Sequence, residues 1–122
     1  MYSDDRIVDG DVLDKLPEPT GYKLLIAMPS VEDQTAGGVF IPDELKSLEQ
    51  TASIIGLVVK TGPDAYKDKD KFPNGPWCKL DDYVMFRSYS GTRFKIMEQE
   101  FRLINDDTVE ATVADPRAYK RV

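Results

Sequence analysis

Catalysis near neutral pH needs groups that ionise or coordinate there, and this chain is poor in them. Among its 122 residues histidine is absent and Cys78 is the only cysteine. The commonest general base, the commonest metal ligand and any thiolate cluster for zinc are therefore missing. The adjacent carboxylates Asp81 and Asp82 are the nearest thing to an acid–base pair, but neighbours on a strand point to opposite faces and do not converge on one substrate. Arg87, Tyr89, Arg93 and Phe94 interleave cations with rings, a pattern that stacks single-stranded nucleic acid on a small OB-like β-barrel. The balance of 16 Lys+Arg against 22 Asp+Glu, a net charge of -6, works against phosphate binding. These residues describe a protein that is not an enzyme and takes no cofactor and no metal, with single-stranded nucleic-acid binding as the alternative reading.

Burial of apolar groups is the chemistry this sequence does offer. Gly37-Gly38 is followed by the apolar triplet Val39-Phe40-Ile41, closed by Pro42, inside a polar stretch from Ser30 to Ser53. A compact domain seldom holds a structureless loop this long unless the loop has a task. Apolar groups flanked by polar ones mark contact sites, while the competing reading makes the triplet a buried edge strand. Trp77 and Cys78 read as core or interface packing, since lone buried cysteines are usually inert.

The elements that must position this triplet are short strands. Tyr22 to Met28 reads as one, ended by Pro29, and Ser53 to Thr61 as another, rich in β-branched residues, with Gly56 marking a bulge or a close backbone approach. Further strands are expected at Asp82–Arg87, Thr92–Ile96, Phe101–Ile104 and Thr108–Val113, with turns at Ser90-Gly91 and Asn105-Asp106-Asp107. Short strands with polar turns and no long amphipathic helix predict an all-β fold, a small antiparallel barrel or sandwich. The length suits one domain, and no apolar stretch approaches the roughly 20 residues needed to span a bilayer. The first residues lack the basic start and apolar middle of a signal peptide, and a single cysteine closes no internal disulfide, so the expected location is the cytoplasm. Residues 1–20 read as an acidic arm with a short apolar pattern at Val8, Val12, Leu13 and Leu16, either loosely attached or helical for a turn or two.

From about Gly21 to Ala114 this order of parts resembles the GroES-type co-chaperonins, the chaperonin-10 family of chaperonin lids. The matching segments are Thr35-Ala36-Gly37-Gly38-Val39-Phe40-Ile41, Ile55-Gly56-Leu57-Val58-Val59-Lys60-Thr61-Gly62, Lys79-Leu80-Asp81-Asp82-Tyr83-Val84-Met85-Phe86 and Asp107-Thr108-Val109-Glu110-Ala111-Thr112-Val113. Asp81 stands where the family carries glycine, tolerable because Asp enters left-handed backbone more readily than most residues. The resemblance implies a GroES-like barrel at 21–114, with a mobile loop at about 31–52 and a roof excursion at about 63–77, between the arm at 1–20 and a tail at 115–122. It implies a homo-oligomer, a heptamer in this family, that caps a GroEL-type chaperonin in a cycle driven by ATP on the chaperonin, and so assists protein folding without binding nucleic acid or membrane. Val39, Phe40 and Ile41 would make the chaperonin contact, and Gly37 and Gly38 would be the loop hinge. The arm, the tail and the unusual roof make the chain more like the bacteriophage-encoded versions than a host housekeeping copy, which would place it in the bacterial host cytoplasm. Strands exposed at Tyr22–Met28 and Thr108–Val113 are expected to serve as edges for neighbouring copies.

Overall fold

The computed structural model describes residue 12 and residues 14–29, 54–97 and 99–119. Residues 1–11 and 30–53, with Gly37, Gly38, Val39, Phe40 and Ile41 among them, lie outside the described residues. The fold is all-β: β1 (Lys23–Ala27), β2 (Ile55–Thr61), β3 (Tyr83–Met85), β4 (Thr92–Ile96), β5 (Gln99–Asn105) and β6 (Ala111–Val113) form one six-stranded sheet in the order β4-β5-β1-β2-β3-β6. Every neighbouring pair is antiparallel.

Because side chains alternate across a strand, β1 feeds two apolar faces. Leu24, Ile26 and Met28 turn inward to join Val58, Val84 and Phe86, while Leu25 and Ala27 turn outward to join Phe101. The sheet curls about the inner cluster as a small GroES-like barrel, and the segment between β2 and β3 adds Tyr66, Phe72 and Cys78 to the same core. Arg102, only 1% exposed, is the one charged side chain on this inner face of β5 that is fully withdrawn from water. Its guanidinium donates to the Ser88 carbonyl and to the Glu100 carboxylate, and lies 5.5 Å from the centre of the Phe86 ring. These bonds hold the turn at Arg87–Ser90 onto β5.

Two expectations from the sequence need correction, and a third, which had two forms, is resolved. Tyr22–Met28 is not an edge: β1 sits in the middle of the sheet, bonded to β2 and β5, and its nearly continuous apolar run fits burial on both faces. The strand expected at Thr108–Val113 starts only at Ala111, because Asp106–Thr108 wind into a 3-10 turn. Of the two readings of Gly56 the bulge falls elsewhere, since the register steps from Leu25↔Lys60 to Ile26↔Val58 and leaves Val59 as the extra residue. Gly56 is instead the close approach, since a Cβ there would meet the side chains of Ile26 and Met28.

The arm is also more firmly attached at its end than its composition suggests. A single turn, with Lys15 N–H donating to the Val12 carbonyl at 2.9 Å, leads into a strap across the outer face. Val12, Leu16 and Pro19 are buried there, and an ion pair joins Glu18 to Lys60 of β2.

Candidate functional site

The two long connections of the chain leave the sheet at opposite ends. At one end β1 finishes where Met28 N–H donates to the Glu100 carbonyl at 3.0 Å, and the Gln99 side-chain amide donates to the Met28 carbonyl at 3.5 Å. The chain returns beside it, Phe86 N–H donating to the Ile54 carbonyl at 2.9 Å. Segment 30–53, which carries the glycine pair and the apolar triplet, is therefore fastened at both its roots to one rim of the barrel. A groove of about 360 Å³ opens at the same rim, lined by Ile54, Met85, Phe86, Ser88, Tyr89 and Glu110.

The other end carries the crown, residues 62–82, beside the Thr61 end of β2 and the Asn105 end of β5. Gly62 N–H donates to the Lys23 carbonyl at 2.8 Å and Asp64 N–H to the Gly21 carbonyl at 2.8 Å. Gly62 must be glycine, because a Cβ would strike the Gly21 backbone. Tyr66 pins the crown down: it takes a left-handed φ of 60°, donates its N–H to the buried Asp106 carboxylate at 3.0 Å and its O–H to the Asp106 carbonyl at 2.8 Å. Its ring packs edge-on against Phe72 at 4.8 Å, and Phe72 packs edge-on against Trp77 at 4.9 Å. Burial raises the Tyr66 hydroxyl above its ordinary pKa of 10.0, helped by its contact with Cys78, and burial likewise raises the Cys78 thiol above its ordinary 9.0. Cys78 is thus an inert packing group, lying 3.3 Å from the Tyr66 oxygen. Between these anchors the run Lys67 to Lys71 is wholly exposed. Asp106 escaped the sequence reading; its only signal was a lone tyrosine in a charged excursion that needed a buried polar partner.

The alternative chemistries do not assemble. Arg93 lies on the inner side of β4 and is bound to Glu100 at 3.2 Å, whereas Phe94 lies on the outer side, stacked on Phe101 at 5.8 Å. Arg87 is paired with Glu110 at 3.6 Å, and Tyr89 stands 89% exposed away from Phe94's cluster. No common stacking surface for bases results. Asp81 and Asp82 make a turn: Asp81 takes a φ of 71°, and the Asp82 carboxylate accepts from Lys79 N–H at 3.0 Å. Among the described residues no three His, Cys, Asp or Glu side chains are grouped to hold a metal ion, and no helix is long and apolar enough to cross a membrane.

A small curled sheet with a buried core, a long connection rooted at one rim and a charged crown at the other define a small GroES-like β-barrel. Residues 17–113, most of the chain, match the family model described as the chaperonin 10 kDa subunit, and the chain belongs to that family. It is therefore a co-chaperonin, working with a chaperonin of the GroEL type and assembling from several copies.

Proposed function

We propose that seven copies of this chain form a dome that caps a GroEL-type chaperonin in the cytoplasm, in a cycle driven by ATP held on the chaperonin, and that each copy docks through Val39, Phe40 and Ile41. The observation that carries this reading is the opposed placement of the two long connections: the segment bearing the triplet is rooted at one rim, and the charged crown projects from the other. The projecting run Lys67 to Lys71 is charged and exposed, unlike a surface that fills an apolar groove, and the apolar triplet belongs to the segment rooted beside Met28 and Ile54, so that rim is the face turned to the partner. Three apolar side chains entering a groove between partner helices each contribute roughly 1.5 to 3 kcal/mol before ordering costs. Gly37 and Gly38 act as the hinge and make ordering expensive, because glycine loses the most backbone freedom. A weak single contact repeated on one rigid dome gains strength through effective concentration, and it releases when the chaperonin moves its sites apart.

Phe40→Asp tests the proposal. The variant should keep the thermal midpoint and the oligomer of the parent and lose co-sedimentation with ATP-loaded chaperonin, since an unpaired carboxylate is strongly disfavoured in an apolar groove. Retained capture would show that the triplet is not the contact, and unfolding of the variant would place Phe40 in the core.

A further inference from the structure

A fully buried arginine stands between the two places where the long segment 30–53 meets the sheet. On the outgoing side Met28 N–H donates to the Glu100 carbonyl at 3.0 Å, and on the returning side Phe86 N–H donates to the Ile54 carbonyl at 2.9 Å. Arg102 reaches both. Its Nε donates to the Glu100 carboxylate at 3.3 Å, its guanidinium lies 5.5 Å from the centre of the Phe86 ring, and its Nη1 donates to the Ser88 carbonyl two residues further on. Arg93 donates to the same Glu100 carboxylate through Nε and Nη2, each at 3.2 Å, so that carboxylate is held by two guanidinium groups.

β5, which carries Glu100 and Arg102, and β3, which leads into Phe86, are not neighbours in the sheet: β1 and β2 lie between them. Arg102 is therefore a tie across the inside of the barrel, among Leu24, Ile26, Val84 and Ile104. Burial pulls its guanidinium pKa below the ordinary 12.5, against the opposing effect of Glu100. An apolar side chain of similar length often fills such a site without loss of stability, because desolvation offsets the attraction of a buried ion pair. What an apolar group does not supply is direction. A planar guanidinium joins a carboxylate on one element to a carbonyl on another in a set geometry.

We propose that Arg102 is a positioning residue for capping, fixing the two roots of the docking segment relative to each other; this role rests on the capping reading above. Rigid roots matter there because repeated weak contacts add through effective concentration only where their points of attachment match the spacing of the partner's sites.

Two measurements on the full chain test this. Hydrogen exchange on the free protein, read by mass spectrometry with fragmentation that resolves single amides, should show Arg102→Met speeding exchange at the Met28 and Phe86 amides by about tenfold or more. The Gly62 and Asp106 amides, bonded to the Lys23 and Tyr22 carbonyls at the crown end, should keep the parent's rates. Arg102→Lys retains the charge but not the fork, and should loosen the same two root amides. The urea midpoint of Arg102→Met should stay at or above the parent's, while its dissociation constant for ATP-loaded chaperonin rises by about tenfold or more. Root amides that exchange at the parent's rate in both variants would overturn the proposal, and so would equal acceleration of all four amides, the mark of an arginine that only stabilises the fold. If Arg102→Met binds the chaperonin as the parent does while Phe40→Asp fails to bind in the same assay, the positioning role falls and the capping reading stands. Capture of Phe40→Asp would remove the capping reading and this role with it.

Discussion

Asp81 stands in the turn that leads into β3. Its φ of 71° lies in the left-handed region, which costs a residue with a Cβ roughly 1 kcal/mol relative to glycine. Asp81→Gly should therefore raise unfolding stability by up to about 1 kcal/mol, seen as a higher urea midpoint with an unchanged slope; a lower midpoint would mean that the carboxylate itself contributes. Tyr66 and Cys78 make a pH-dependent pair of neighbours. Both are acids whose folded pKa values are raised by burial, so the folded state holds their protons more tightly than the unfolded chain does. Their contribution is complete below the unfolded values and falls as pH climbs past 9.0 for the thiol and 10.0 for the phenol. The urea midpoint should decline steadily above that range, and Tyr66→Phe should flatten the decline while costing about 1 kcal/mol at neutral pH through the lost bond to the Asp106 carbonyl. A midpoint that stays level through strongly alkaline pH would contradict this account.

At the scale of elements, the strap is the part that composition concealed. Leu16 is buried on an outer face that includes Leu25, Ala27 and Phe101. Leu16→Asp should lower unfolding stability by about 3 kcal/mol, from lost burial and a carboxylate held against apolar surface. An unfolding curve within error of the parent would mean that the strap does not hold in solution. The strand positions were legible because period-two alternation and turn residues are local signals: β1, β2, β4 and β5 fall where apolar runs and Gly or Asn-Asp turns put them. The strap was not, because Val12, Leu16 and Pro19 separated by acidic residues look like any solvated arm until a second apolar face exists to receive them. The order of the strands was hidden for the same reason. Nothing within Tyr22–Met28 announces that both its sides are taken, beyond a run of apolar residues that an edge strand would have no use for. The candidate contact itself, Val39, Phe40 and Ile41, was read from residue types and resemblance, and of its segment only the roots lie among the described residues.

The whole molecule assembles from several copies, and its sheet offers two end strands for the purpose, β4 and β6. Of these β6 is the shorter, Ala111–Val113, and among the described residues it is bonded to β3 alone. A short strand recruits one neighbour without inviting indefinite stacking. For seven subunits of 13.8 kDa, native mass measurement should give about 97 kDa, a closed ring. A monomer at micromolar concentration would defeat the dome model, whereas a ring of another size would change its number and leave the docking rim in place.

The chain has a single tryptophan, and it sits in the crown, 46% exposed and edge-on to Phe72. Intrinsic indole emission therefore watches one end of the barrel only. It is blind to the rim where the chaperonin would arrive, and its colour reports whether Phe72 and Tyr66 still clamp the crown to Asp106. Far-ultraviolet dichroism follows the sheet. Recorded together on one sample, the two signals separate a crown that lifts early from a barrel that melts as one body, without any label being added.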